Sequence, residues 1–489
     1  MSKNAIIIGS GIAGIASALR LRKKGYDVTV FEANPYVGGK LHVVEKDGFR
    51  WDAGPSLFTM PHLVDELFEL HDIDPRTLFN YKRKEVVCNY FWEDGTTFSV
   101  HADTNKFISE AARTFNTSEV SLKNYLRNAK EKYDLTTSVF LEKSLHKAST
   151  YLSFDTLKSL IQSHKLDITS TLNSTNKKYF SDPRLVQLFN RYATYNGSSP
   201  YQTPGVMSLI PHLEMHYGCF LPKGGMHAIT KSLHQLAIDQ KVQFRLNEPV
   251  KKILHESGVA NGVQTEQGSY YSDLLVCNMD IYSTYNLLLK DLKRSDKILR
   301  QERSSSALIY YWGVGRTFKE LDLHNIFFSK DYREEFRCLF KEKTFSEDPT
   351  VYINITSKDE TDDAPEGNEN WFVMINAPAN YGQDWETLKK ISRDRIVQKI
   401  NRILKTDIEK YLVTEEILDP ILIESRTSSH RGSLYGASSN SKFSAFLRHP
   451  NFSGRLKNLY FCGGSVHPGG GIPLCLQSAK IVSDLIPDA

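Results

Sequence analysis

The stretch Ala5-Ile6-Ile7-Ile8-Gly9-Ser10-Gly11-Ile12-Ala13-Gly14 sets the frame for the whole chain. Ala5 to Ile8 form a short apolar run of strand type, and Ile12 to Lys24 carry helical periodicity. Gly25 stands where a helix C-cap is expected, and Val28-Thr29-Val30-Phe31 is β-branched and apolar. Strand, helix and second strand therefore follow one another over residues 4–31, with Gly9, Gly11 and Gly14 in a G-x-G-x-x-G pattern at the first turn. Glycines there allow a tight turn and the close approach of a pyrophosphate, at which the free N–H groups of the helix start are aimed. Glu32, 18 positions after Gly14 at the end of the second strand, can accept hydrogen bonds from ribose hydroxyls. Arg20, Arg22, Lys23 and Lys24 read as helix-end charge favoured by the macrodipole. The pattern implies a bound dinucleotide but does not separate NAD from FAD.

The continuation favours FAD. Glu32-Ala33-Asn34-Pro35-Tyr36-Val37-Gly38-Gly39-Lys40 and then Asp52-Ala53-Gly54-Pro55-Ser56-Leu57 combine paired glycines, which admit a diphosphate or flavin ring, with a cation at Lys40 to sit near its negative charge. Near the other end, Asn458 to Cys462 read as a strand. The run Gly463-Gly464-Ser465-Val466-His467-Pro468-Gly469-Gly470-Gly471-Ile472-Pro473 then opens a last helix from about Pro473 to Leu485. Its unpaired N–H groups would face the negative charge that gathers around N1 and O2 of a reduced flavin.

Between these ends the chain is long and varied. At 489 residues it exceeds what one core usually organises, so two interleaved domains are expected. From about Asp103 to Tyr195 the pattern is helical with polar linkers, as in Thr150 to Lys165, where Phe154, Leu157, Leu160 and Ile161 share a face. Strand-like runs return at Val242 to Arg245, Pro249 to Leu254 and Leu274 to Cys277. Ala307 to Trp312 and Trp371 to Ile375 are also strand-like, and they bracket an acidic stretch, Asp359 to Asn370, expected to be a surface loop. No solenoid repeat is present.

Composition narrows the function classes. Basic residues number 61 and acidic residues 57, a net charge of +4 that gives no reason to expect nucleic acid as a partner. The six cysteines are scattered without a C-x-x-C pair, so neither a metal site nor a disulfide framework is indicated, and a reduced, cytoplasmic protein is expected. Ile6-Ile7-Ile8 is too short for a signal-peptide core and no run of 18 apolar residues occurs, which leaves a soluble or membrane-surface protein. Leu141 to Leu172 mixes apolar residues with Lys143, Lys147, Lys158 and Lys165, which suits either an interfacial helix or a plain surface helix.

The string from Gly9 to Gly39 resembles the dinucleotide-binding start of the flavin amine oxidase and phytoene desaturase superfamily, and Gly463 to Pro473 resembles the closing signature of bacterial carotenoid desaturases. Arg191-Tyr192-Ala193-Thr194-Tyr195-Asn196-Gly197 and Leu221-Pro222-Lys223-Gly224-Gly225-Met226 resemble that family's internal blocks in the same order, so the likeness spans essentially the whole chain. It implies an α/β fold in which a Rossmann-like FAD-binding domain is assembled from discontinuous segments, 1–75, 215–300 and 410–489. An α+β substrate domain with a helical insert, 76–214 and 301–409, is inserted between them. It implies adenosine-side contacts at Ile12, Glu32 and Val250, flavin-side contacts at Gly39, Lys40, Ser56, Leu57, Gly464, Gly471 and Ile472, and Asn278 nearby.

The resemblance also implies the chemistry. A carotenoid is bound chiefly by apolar burial, at about 25 cal/mol per Å², and loses two hydrogens from adjacent carbons to the flavin, which carries the hard chemistry. Gly-Gly-Ser-Val-His-Pro-Gly-Gly-Gly-Ile-Pro, followed by Leu474-Cys475, looks closer to the hydroxycarotenoid 3,4-desaturases than to the phytoene desaturases. The expected reaction is a C-3,4 double bond beside a hydroxylated acyclic end, as in 1'-hydroxy-γ-carotene, with oxygen or a membrane quinone as electron acceptor. Phytoene desaturation, a redox-neutral carotenoid isomerisation, an amine oxidase and a non-catalytic isoprenoid carrier are the alternatives. His467 and Glu214 are the available proton acceptors, and no catalytic base is assigned between them.

Overall fold

The computed structural model describes residues 3–141, 143–147, 150, 162–292, 299–441, 444 and 446–489. β1 (Asn4–Ile8), α1 (Ile12–Lys23) and β2 (Asp27–Phe31) form as the apolar runs require. β1 and β2 are parallel, with Ile8 opposite Phe31. β1 is also flanked by Leu274–Cys277, which in turn pairs with Leu459–Phe461, while β2 is flanked by Gln243–Arg245. This five-stranded parallel sheet draws strands from the start, middle and end of the chain. Ala5, Ile6, Ile7 and Ile8 are all buried, as a parallel sheet covered on both faces demands. α1 and the C-terminal helix (Ile472–Leu485) pack together over one face, with Ile15, Ala16, Leu19, Leu476, Ala479 and Val482 in the same core. Arg20 is more than helix-end charge: it is nearly buried and donates to Glu66 Oε1 at 3.0 Å.

A second sheet of seven strands runs in the order Leu412–Leu418, Ser306–Val314, Glu369–Ala377, Val351–Ile355, His324–Phe327, Val86–Phe91, Thr97–His101. Its pairings are antiparallel except that between His324–Phe327 and Val86–Phe91. The two strands expected from Ala307–Trp312 and Trp371–Ile375 are each nine residues long and lie side by side, Trp312 opposite Trp371. Helices Glu119–Thr136 and Pro183–Asn190 pack beside this sheet through Leu122, Tyr125, Leu185 and Phe189, with Tyr179 at the end of helix Leu172–Tyr179 packed against the same core.

Four local expectations need correction. Leu412–Leu418 pairs with Ser306–Val314, so the chain just after 410 lies in the seven-stranded sheet and not with the dinucleotide-side segment expected to begin there. The strand expected over Pro249 to Leu254 runs instead over Lys252–Glu256, in register with Val259–Gln264; Pro249 has no N–H to give a ladder. The acidic stretch 359–370 is not a free surface loop. Asp363 is buried against Arg50 (3.2 Å) and Thr356, and Asp359 accepts from Lys84 Nζ at 2.6 Å. Finally, residues 143–147 and 163–171 form turns and a short 3-10 segment, so 141–172 is not one continuous interfacial helix. The apolar face with Phe154, Leu157, Leu160 and Ile161, and Lys158, lie outside the described residues. Among the described residues no helix is long and apolar enough to cross a membrane.

Candidate active site

A cavity of about 1250 Å³ begins at the carboxyl ends of β1 and β2 and continues between the two sheets. Parallel α/β sheets bind their ligands at this edge. Gly9, Gly11, Ile12, Glu32, Gly39, Lys40, Ser56, Leu57, Val250, Asn278, Gly464, Gly471 and Ile472 all line it. Gly14 does not; it lies against the Gly9 carbonyl beneath the turn.

At the β1–β2 end, Glu32 organises the loop. Its Oε2 accepts from the Ser10 N–H (2.8 Å) and the Ser10 hydroxyl (2.7 Å), and its Oε1 accepts from the N–H and side-chain amide of Asn34, each at 2.9 Å. These occupy the roughly four acceptor sites of a carboxylate. The Asn34 amide also donates to Arg426 O at 3.1 Å, so it is the partner best able to give way to a ribose hydroxyl. Asn278 fastens this end to the rest. Its N–H donates to Ile8 O at 2.8 Å and its side-chain amide to Gly9 O at 3.3 Å, beside Gly11 and Gly463.

At the opposite end of the dinucleotide-side wall, two cations, Arg448 buried and Lys40 half-buried, lack a carboxylate within salt-bridge distance among the described residues. Lys40 Nζ donates to the carbonyls of Leu434 (3.0 Å) and Ser433 (3.4 Å), and burial pulls its pKa down, with Asp280 opposing. Arg448 Nη1 donates to Tyr435 O at 2.7 Å and Gly464 O at 3.4 Å, and burial pulls its guanidinium to about 10. Nothing in the sequence around Arg448 marks it. The C-terminal helix starts beside them, with Gly471 as an N-cap that offers no side-chain acceptor and Pro473 in the first turn. Gly471 sits at φ +104, and a Cβ built there meets nothing within 4 Å. These cations and the free helix N–H groups around open space form a cradle for an anionic ring system, and this set fits FAD.

Away from the glycine loops the wall turns apolar, with Val206, Met207, Ile210, Leu213, Ile326 and Met374 among its residues. Several polar groups in this limb are paired with one another. Glu214 Oε1 accepts from Arg191 Nη2 (2.7 Å) and the Tyr192 hydroxyl (3.0 Å), and Oε2 accepts from the Tyr195 hydroxyl. Tyr352 joins Ser56 Oγ (2.8 Å) to His324 Nδ1 (2.7 Å). Neither Tyr352 nor His324 stands out in sequence, because their meeting depends on strand pairing.

His467 and His449, which flank the C-terminal glycine run, are both held neutral by burial, each with a pKa near 4. His467 Nε2 lies 2.9 Å from Lys143 O, so its ring is tied down. For such a group the unfolded chain binds a proton between about 6.5 and 4 and the folded chain does not. Stability is therefore flat above 6.5 and falls as pH is lowered through that window, by about 1.4 kcal/mol per pH unit for each histidine. Replacing His449 by Gln should flatten this slope by one such increment, read from urea midpoints at pH 7 and pH 5. Equal slopes in both proteins would show that His449 is not buried neutral.

Comparison with known proteins agrees with this geometry. The family model for flavin-containing amine oxidoreductases matches residues 12–487. A 1-hydroxycarotenoid 3,4-desaturase from Flavobacterium sp. (strain P99-3) is 57% identical over 486 residues, covering 99% of each chain. A 4,4'-diapolycopene oxygenase from Methylomonas sp is 32% identical over 490 residues, covering 99% of this chain and 98% of its own. Among solved structures, an oxidoreductase from Methanosarcina mazei shares the fold, with a TM-score of 0.64 at 16% identity over 98% of this chain and 100% of that one.

Proposed function

The chain belongs to the flavin-containing amine oxidoreductase family, and on that footing we propose that it is an FAD-dependent desaturase. In this reading it introduces a C-3,4 double bond into the hydroxylated acyclic end of a carotenoid. The observation that carries this reading is the continuity of the cavity, from a flavin cradle into a long apolar limb whose charges are neutralised internally. Its volume exceeds the roughly 300–1,000 Å³ of an ordinary single-ligand pocket, as a site for both a dinucleotide and a long hydrocarbon must. Two carboxylates that line the limb are already paired, Glu214 with Arg191 and Asp134 with Lys130, so neither offers a free charge to a cationic amine.

Bound FAD supplies the two-electron acceptor for removal of a hydride from the substrate. Gly9, Gly11 and the start of α1 would hold the pyrophosphate, with Ile12, Glu32 and Val250 on the adenosine side. Gly39, Lys40, Ser56, Leu57, Gly464, Gly471 and Ile472 would surround the flavin, and Asn278 ties the two glycine runs together. Lys40, Arg448 and the N–H groups at the start of the C-terminal helix would stabilise negative charge on it. The apolar limb aligns the polyene and keeps water out. The second hydrogen leaves the neighbouring carbon as a proton and passes to solvent, with no base assigned to it; His467 and Glu214 are engaged with Lys143 O and Arg191.

The two units divide along the sheets: 1–75, 215–300 and the chain after 418 carry the cofactor, and 76–214 with 301–418 carry the substrate. A lipid-dissolved substrate favours collection at a membrane surface, with oxygen or a membrane quinone reoxidising the flavin.

Anaerobic mixing of the FAD-loaded protein with hydroxylated acyclic carotenoids should bleach the flavin and yield a product lighter by two hydrogens. An unbleached flavin with every such carotenoid, or a product of unchanged mass, would remove the desaturase reading.

A further inference from the structure

The cavity carries a polar feature that hydrocarbon binding does not use. In its otherwise apolar limb, Ser56, Tyr352 and His324 form a hydrogen-bonded line that starts at the wall beside the flavin cradle and runs inward to Asn354. The direction of each bond can be worked out from its far end. Asn354 Nδ2 donates to Leu323 O at 2.9 Å, which identifies that atom as the amide nitrogen. The same nitrogen lies 3.2 Å from His324 Nδ1, so Nδ1 is an acceptor. Burial keeps the ring neutral, with a pKa near 3, so its one proton is on Nε2, 3.4 Å from the sulfur of Cys219. With Nδ1 an acceptor, the Tyr352 hydroxyl must donate to it at 2.7 Å. The Tyr352 oxygen then receives the Ser56 proton at 2.8 Å. Ser56 Oγ, having given its proton away, keeps lone pairs for a donor in the cavity.

We propose that Ser56 is the acceptor for the hydroxyl of the substrate's end, and that Tyr352, His324 and Asn354 are positioning residues that hold it in the accepting state. This rests on the desaturase reading above and adds to it how the hydroxylated end is chosen. The chemistry requires such a group. A tertiary alcohol carried into an apolar limb loses its water partners and must find a protein acceptor. In a chain hydroxylated at C-1, the bond between C-3 and C-4 lies only two carbons further on. The acceptor must therefore adjoin the flavin cradle, and Ser56 lines the cavity two residues after Gly54, which packs on the Lys40 backbone. The polarised line also disfavours a substrate group that can only accept, such as a carbonyl or an ether, since every proton along it is already committed.

The test uses the FAD-loaded protein and two carotenoids that differ only in the 1-hydroxyl. Flavin bleaching gives kcat/KM for each, and the shift of the carotenoid absorption on binding gives affinity independently of turnover. The wild-type protein should prefer the hydroxylated chain by about ten-fold or more in both measurements. Ser56→Ala and Tyr352→Phe should each bring that ratio close to one, and Ser56→Thr, which keeps the hydroxyl, should restore it. A general loss of stability or of flavin lowers both substrates together and leaves the ratio where it was. Should Ser56→Ala fail to hold FAD, Tyr352→Phe decides together with Ser56→Thr, because it leaves the Ser56 hydroxyl in place and removes the acceptor of its proton. An unchanged ratio in the flavin-loaded variants overturns the proposal while leaving the desaturase reading intact. A wild-type protein that bleaches with neither carotenoid overturns both.

Discussion

Replacing Glu214 by alanine is expected to cost about 3–5 kcal/mol of stability, the penalty for stripping a buried charge of its partner. Arg191 and Glu214 have side chains only 7% and 1% exposed. Burial works against the Arg191 charge, but Glu214 and the tyrosines around it outweigh that and hold the guanidinium firmly protonated. The rings of Tyr192, Tyr90 and Tyr195 lie 4.3, 5.3 and 5.5 Å from the guanidinium carbon and supply no anionic partner to replace the lost carboxylate. Arginine cannot escape by losing its proton, so the cost falls on the fold. Urea denaturation followed by tryptophan fluorescence reads it directly. The double variant Arg191→Met with Glu214→Leu should recover most of the loss, since an apolar pair of similar volume often replaces a buried ion pair without cost. A Glu214→Ala protein within about 0.5 kcal/mol of wild type would mean that the pair is solvated, contrary to its burial.

Gly14→Ala is expected to weaken FAD binding by about 10–100-fold, from an overpacking cost of about 1–3 kcal/mol. A Cβ at position 14 would stand 2.1 Å from Gly9 O and 3.0 Å from the Asn278 amide. The first contact is with backbone, which cannot swing aside, so α1 must lift away from β1 and carry its N–H groups off the pyrophosphate. Gly11→Ala offers an internal comparison. Its Cβ would meet only the end of the Asn278 side chain, at 2.9 Å, so the smaller loss of apoprotein stability belongs there, while its place on the cavity wall lowers FAD affinity directly. Urea midpoints of the two apoproteins rank the packing cost, and titration of each with FAD, followed by flavin absorbance, reads the affinity. Wild-type affinity in Gly14→Ala would show that the helix does not sit as close to the turn as the structure places it.

These two sites differ in how far sequence reaches them. Gly14 is legible because the contact that demands glycine is made five residues away, within a single turn, and the residues on both sides repeat the apolar periods of strand and helix. The same local logic covers β1, α1, β2 and the start of the C-terminal helix. Glu214 is readable only as a candidate base or ion-pair partner, because its occupants arrive from a separate helical segment at 191–195. The acidic stretch from Asp359 to Asn370 misleads for a similar reason. Its charges look solvent-bound in sequence, yet Arg50 and Lys84 come from far earlier in the chain to neutralise them.

What local chemistry dictates here is the dinucleotide fingerprint at Gly9 to Gly14, Glu32 after the second strand, and the glycine run before Ile472. Each rests on backbone geometry over a few residues. What required the folded chain is the placement of buried Arg448 and half-buried Lys40 as cations beside that run, and the line Ser56–Tyr352–His324–Asn354. The line joins residues almost three hundred positions apart through the pairing of His324–Phe327 with Val351–Ile355. Strand register sets which side chains meet, and register is a property of the whole sheet.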